Sequence, residues 1–274
     1  MAKIANMNFH YHRYTFDYFL DSTERLGLQA IELWAGAPHL YVGDATHQEA
    51  AAMRNKIDRR GLEIVCFTPE QCIYPINLSS KDDTLRRRSI DYFKKSLSMA
   101  NSLNCGRLLV TAGYGFFDEP KEDAWERARD SIGEIALEAK QAGAVLVLEP
   151  LSHFGSNVIN NAADLKRMID EVGSPNVKAM LDTVPMMLAG DTIDGYAAAF
   201  GDDLVHIHFL DGDGKTSAHL AWGEGCFPLE AFKRSLDDHG YDGYLTLEII
   251  GPKYNWDPES ATRLSLEHLR KAGF

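Results

Sequence analysis

Thiols, positive charge and long apolar runs are what this chain has little of. Its four cysteines, Cys66, Cys72, Cys105 and Cys226, show no zinc-type spacing and no disulfide framework, so reduced thiols are expected. Lysine and arginine total 28 against 40 acidic residues, a formal charge of −12. A nucleic-acid binder needs a basic footprint for phosphates, and this balance argues against one. No stretch approaches the roughly 18 apolar residues of a membrane span. Met1-Ala2-Lys3-Ile4 leads straight into strand-like sequence without a signal-peptide core. A soluble, cytoplasmic chain with no nucleic-acid or membrane partner is therefore expected. A G-x-G-x-x-G after the first strand is also missing, which removes the dinucleotide-binding reading.

What is present is a regular alternation. Hydrophobic residues make up 45% of the chain, enough for a sizeable core, and charged residues 25%. Short apolar runs predict strands over 4–9, 29–34, 62–67, 107–111, 145–149, 178–182, 204–209 and 244–248. Amphipathic stretches predict helices near 14–26, 48–60, 82–103, 125–139, 162–172, 193–199, 229–239 and 259–271. Arg86, Arg87 and Arg88 lie on the wet face of the third helix and read as a solvated surface. Eight β/α units in 274 residues, without a linker or composition break, favour a single-domain (β/α)8 barrel spanning 1–274.

The run Val145-Leu146-Val147-Leu148-Glu149-Pro150 shows the grammar most clearly: a strand buried on both faces, one carboxylate at its end, then a proline with no amide hydrogen for the ladder. Asp182, His208 and Glu248 end the next three strands in the same way. In such a barrel the C-terminal strand ends share one mouth. Glu149, Asp182, His208 and Glu248 are therefore expected to converge, although 33, 26 and 40 residues separate them. Three carboxylates and one imidazole form a hard, oxygen-rich set suited to one divalent cation, Mn²⁺, Mg²⁺ or Co²⁺. Without a cation the carboxylates would repel, and at least one would keep its proton. His206 shares a face with His208 by strand alternation. His208, nearer the mouth, is the expected ligand, and His206 orients it or is simply packed. Asp211, just past the strand, is a candidate for contact with substrate or a bound water.

A carboxylate pair beside a hard cation suits proton abstraction next to a carbonyl, because a Lewis acid stabilises the enediolate. Glu149 and Glu248 would address opposite faces of one carbon, one removing a proton and the other returning one. Trp34, His39, Tyr74, Tyr114 and Trp222 are candidates for an aromatic wall around the mouth. Either His10 or His12 can face inward from the first strand, and Glu70 ends the third.

Several phrases carry a resemblance: Leu148-Glu149-Pro150-Leu151, Leu181-Asp182, His206-Ile207-His208-Phe209-Leu210-Asp211, Gly223-Glu224-Gly225 and Leu247-Glu248. Together they resemble the sugar isomerase/epimerase superfamily of xylose-isomerase-like TIM barrels. Ile31 to His39, Thr68-Pro69-Glu70, Tyr74 to Asn77 and Ser156-Asn157-Val158 make the chain most similar to fructoselysine 3-epimerases within it. The resemblance implies C3 epimerisation of a ketose or ketose conjugate through a cis-enediolate. It implies Glu149, Asp182, His208 and Glu248 as metal ligands, both glutamates as acid/base pair, and a homo-oligomer acting on a small sugar. Relatives acting on free ketohexoses carry a His where this chain has Pro185, an Arg where it has Gly214, and a Glu where it has Gly155. Contacts to substrate hydroxyls must then be rebuilt by His153, His219 or Glu224, alongside Trp34, His39 and Glu70. Inosose dehydration, hydroxypyruvate isomerisation and ketohexose or ketopentose 3-epimerisation share the chemistry and stay open. An apurinic endonuclease or a non-catalytic sugar-binding barrel is a more distant reading.

Overall fold

Each apolar run becomes a parallel strand in the computed structural model, which describes residues 2–71 and 75–274. The strands are β1 (Lys3–Met7), β2 (Ala30–Ala35), β3 (Glu63–Pro69), β4 (Arg107–Thr111), β5 (Val145–Glu149), β6 (Val177–Asp182), β7 (Leu204–His208) and β8 (Tyr244–Leu247). They pair in chain order. β1 closes onto β8 with Lys3 opposite Tyr244 and Asn6 opposite Leu247, so the sheet is a sealed barrel. Closure leaves no sheet edge for another chain to pair with.

Around it lie α1 (Phe16–Arg25), α2 (His47–Asp58), α3 (Asp83–Ser102), α4 (Lys121–Gln141), α5 (Ala162–Val172), α6 (Thr183–Ala189), α7 (Ile193–Phe200), α8 (Leu229–Asp238) and α9 (Pro258–Lys271). Their starts follow from side chains that satisfy orphan amides. Thr46 and Glu49 form a reciprocal capping box on α2, and Asn161 accepts from Asp164 N on α5. Gly173, at φ 63°, ends α5 in a left-handed turn that a side chain would strain. The main core fills the space between barrel and helices, with Phe19, Phe93 and Trp125 fully buried. Each such side chain contributes roughly 1.5–3 kcal/mol through burial. A smaller cluster inside the barrel, including Val65, Leu109, Val147 and Met180, plugs its lower half. The arginines of α3 are paired at the surface, Arg86 with Asp83 and Arg87 with Glu134, as a solvated face would be.

Helix α6 departs from expectation. Thr183–Ala189 carries a proline in its first turn and too few residues for a legible period, yet it starts directly from the end of β6. Trp222 also departs from the mouth position given to it. It is buried among Phe209 and Phe232, and its Nε1 donates to Phe209 O at 3.0 Å, so it belongs to the core.

Of the two histidines after β1, His10 is the buried one, its Nε2 3.0 Å from Thr262 Oγ1 on α9. Burial pushes its pKa from 6.5 down to about 3. The unfolded chain therefore takes up a proton near pH 6.5 that the folded chain refuses. This contribution to stability is fully present above that pH. It is lost as pH falls toward 3, at up to about 1.4 kcal/mol per pH unit. His10→Gln is expected to flatten that slope in urea unfolding followed from about pH 7 to pH 4, and an unchanged slope would contradict it.

Candidate active site

The C-terminal ends of β5 to β8 deliver Glu149, Asp182, His208 and Glu248 to one point. A ligand-type atom from each lies within 4.8 Å of all the others. His208 Nδ1 stands 3.1 Å from Glu149 Oε1, 3.1 Å from Glu248 Oε2 and 3.9 Å from Asp182 Oδ2. That nitrogen is buried and makes no hydrogen bond.

Local structure aims each group. Pro150 ends the β5 ladder immediately after Glu149. Asp182 and His208 are register partners on β6 and β7. Asp182 Oδ1 accepts Val184 N at 2.7 Å and so caps α6, which leaves Oδ2 for the site. Glu248 lies one residue beyond β8. Ile250 N–H then donates to His219 O at 3.1 Å, tying that turn to the loop after β7.

The electrostatics are those of a cluster short of positive charge. Burial, with Glu248 and Asp182 adding to it, pushes Glu149 up to about 7. Burial opposes charge on His208, but Glu248, Glu32 and Glu149 outweigh it and hold the imidazole well above its usual range. His219 Nε2 lies 3.0 Å from Asp182 Oδ2 and 3.5 Å from Glu248 Oε2. Against burial, these two carboxylates raise it to about 9. Beside the cluster opens a cavity of about 340 Å³, walled by Leu151, Phe154, Pro185, Ile250 and His219. Two of the three departures from the ketohexose pattern, Gly155 and Pro185, line it. Both lack a polar side chain, and His219 is the imidazole that faces this space.

The other expected site residues divide. Trp34 packs on Phe9 with centroids 4.7 Å apart, and its Nε1 donates to Glu70 Oε2 at 3.0 Å. Burial pushes Glu70 up, with Glu248 adding to it; Trp34 and Glu70 lie at the ends of β2 and β3 and are not part of the cavity wall. His39 does not line the cavity: one ring nitrogen meets Asn8 Nδ2 at 2.9 Å and the other Tyr14 O at 2.8 Å, so it braces its loop. His153 is exposed, its ring tilted 38° against that of Phe154, outside the cavity wall. Glu224 is drawn away to Tyr254 Oη and to Lys253 Nζ, the latter at 3.0 Å. Tyr114 is exposed, and Tyr74 lies outside the described residues.

Asp211 is a scaffold group. Its buried carboxylate accepts the amides of Gly212, Gly223, Gly225 and Phe227 at 2.8–3.0 Å. Gly223 sits at φ 97°, and a Cβ on Gly225 would fall 2.4 Å from Asp211 Oδ1. The Gly223-Glu224-Gly225 phrase thus lets the loop wrap one carboxylate, and the same loop carries His219.

Glu32 is the residue the sequence reading did not single out for the site. It lies on β2, fully buried, 2.6 Å from His206 Nε2 and 3.0 Å from His208 Nε2. Thr68 Oγ1 donates to Glu32 Oε1. The two imidazoles outweigh burial and hold its carboxyl well below the usual range. A signal was available, because a carboxylate inside a barrel strand needs partners, and two histidines on one face of β7 could supply them.

A (β/α)8 barrel with an acidic, imidazole-bearing cluster at its C-terminal mouth carries that cluster where enzymes of this fold carry their active sites. The chain belongs to the xylose isomerase-like TIM barrel family, whose model matches residues 20–272. It is 32% identical over 252 residues to a fructoselysine 3-epimerase of Escherichia coli O157:H7, covering 92% of this chain and 91% of that one. It is 27% identical over 239 residues to a D-psicose 3-epimerase of Ruminiclostridium cellulolyticum, covering 85% and 78%. Among solved structures, a 3-keto-D-glucoside 4-epimerase from E. coli superposes with a TM-score of 0.82 at 21% identity, over 99% of this chain and 100% of that one.

Proposed function

We propose that this chain is a metal-dependent 3-epimerase of a ketose or ketose conjugate, of the fructoselysine 3-epimerase kind. The observation that carries the reading is His208 Nδ1, a buried nitrogen without a hydrogen bond, facing three carboxylates. A site so short of positive charge fits a divalent cation, and its hard donors favour Mn²⁺, Mg²⁺ or Co²⁺. Glu149, Asp182, His208 and Glu248 would hold it. When bound, the cation supplies a Lewis acid that offsets negative charge developing on a substrate oxygen.

The chain's own groups do the rest. Glu149 and Glu248 come from the two ends of the β5–β8 arc, so a substrate carbon held between them meets one carboxyl on each face. One takes the proton from the carbon beside the ketone. The other, in its acid form, returns a proton to the opposite face and inverts the centre. A general acid or base works best when its pKa lies near the operating pH, and a bound cation would draw Glu149 down from the raised value that burial gives it in the cation-free cluster. His219 lines the cavity with Nδ1 held by Ser217 O; its Nε2, bonded to Asp182, would reach a substrate oxygen by leaving that carboxylate to the cation. Trp34 and Glu70, bonded to each other at the ends of β2 and β3, would meet the substrate from the other side of the barrel.

The test is a panel of fructosyl-amine conjugates, free ketoses and inososes incubated in D₂O with chelator-treated and cation-restored protein. Expected are deuterium incorporation and inversion at C3 of a ketose substrate, both lost on chelation and regained with Mn²⁺, Mg²⁺ or Co²⁺. Full activity after chelation would sink the metal reading. Deuterium entering another carbon would reassign the centre that is inverted.

A further inference from the structure

We propose that Glu32 is a positioning residue that aims His208 at the cluster by fixing which of its nitrogens carries the proton. The inference rests on reading the cluster as a metal site, and it concerns a strand, β2, that supplies no ligand to it.

An ionised carboxylate accepts hydrogen bonds and cannot donate one. Glu32 Oε2 lies 2.6 Å from His206 Nε2 and Oε1 lies 3.0 Å from His208 Nε2, so both Nε2 atoms must bring the proton. Thr68 Oγ1 also donates to Oε1, which leaves that oxygen acting as an acceptor on both sides. With Nε2 keeping its proton directed at Glu32, a cation that displaces the second proton would meet the lone pair of Nδ1. That is the atom 3.1 Å from Glu149 and from Glu248. One buried carboxylate thereby sets the ring and the tautomer a cation requires, as groups behind metal-bound histidines do.

The trio Glu32, His206 and His208 also has its ligand-type atoms within 4.8 Å of one another, which raises a second ion as the alternative. Its contacts are hydrogen-bond lengths between a natural acceptor and natural donors, and all three side chains are sealed from solvent. Hydrogen bonding accounts for the trio without an ion. Carboxylate chemistry, and not mere size, is what the site needs from position 32. A glutamine there would turn its amide hydrogens toward one imidazole. If that imidazole were His208, its proton would move to Nδ1 and point into the cluster.

Two probes decide the matter. Mn²⁺ affinity is read by calorimetry on wild-type, Glu32→Gln and Glu32→Asp proteins. Binding of ¹¹³Cd²⁺ to protein carrying ¹⁵N-histidine is read by NMR, where coupling identifies the ligating nitrogen. Expected in the wild type are coupling to His208 Nδ1 and a hydrogen-bonded proton on Nε2. Glu32→Gln, with one acceptor oxygen for two imidazoles, should lose the hydrogen-bonded Nε2 proton signal of His206 or His208 and bind Mn²⁺ about 10- to 100-fold more weakly. Glu32→Asp, still an acceptor, should recover part of the affinity. Coupling through His208 Nε2 would overturn the proposal without any variant having to fold. So would a folded Glu32→Gln protein with affinity within twofold of the wild type and unchanged Nε2 protons on both His206 and His208. Wild-type protein that takes up neither ion would overturn the metal reading itself.

Discussion

Replacing Glu149 or Glu248 with glutamine is expected to lower kcat by about 10²- to 10⁴-fold, the range a positioned proton donor or acceptor supplies. Both residues also belong to the proposed ligand set, so the loss must be measured at saturating divalent cation, where weaker metal binding no longer contributes. Glutamine keeps an oxygen for coordination and nearly the same shape, and it removes the ability to exchange a proton. The two variants should then differ from one another. With a single epimer as substrate in D₂O, loss of the abstracting carboxylate stops exchange at the reacting carbon altogether. Loss of the returning carboxylate leaves exchange on one face and blocks only the inversion. Two variants that both turn over within tenfold of the wild type would remove the acid/base pair from the mechanism.

Asp211→Asn is expected to cost about 3–5 kcal/mol of folding stability. The wild-type carboxylate accepts four backbone amides in a buried loop, and hydrogen bonds to charged groups are worth roughly 1.5–3 kcal/mol each. An asparagine oxygen can still take two of them. Its amino group meets the other two donor-to-donor, which leaves two buried N–H groups unpaired and opposed. The same loop holds His219 through the Asp211–Leu220 bridge, so activity should fall along with stability. Chemical denaturation checks the first effect and kcat/KM with saturating cation the second. A stability change under about 1 kcal/mol would mean the loop can rearrange around the substitution.

The barrel and the meeting of Glu149, Asp182, His208 and Glu248 were legible because both are written in short-range patterns. A buried parallel strand must be apolar on both faces, so eight runs of that kind announce themselves. A carboxylate placed where the ladder stops is conspicuous against them. Loops follow different rules. Trp222, His39, Glu224 and His153 sit beside the mouth in sequence, but backbone hydrogen bonds and packing turn them to core, brace or surface. No periodicity encodes those choices. Asp211 looked like a candidate for contact with substrate or water, and only the folded loop shows four amides closing over it. Glu32 escaped for another reason: its partners lie 174 and 176 residues further along the chain. They meet it only once β2 and β7 face each other across a closed sheet. His219 was legible in part, because the residues expected to bind substrate hydroxyls were replaced by Pro185, Gly214 and Gly155 and something had to stand in for them.

The sealing of β1 onto β8 has a consequence for how such a molecule can be divided. All four strands that carry the proposed ligands belong to the second half of the polypeptide, while Glu32, the carboxylate behind His208, comes from the first. A fragment beginning after β4 would own every donor atom yet have nothing to hold the imidazole at the right angle. Recombining halves from different parents would therefore join the proposed donors to a foreign support, and compatibility between β2 and β7 would decide whether the hybrid could load an ion.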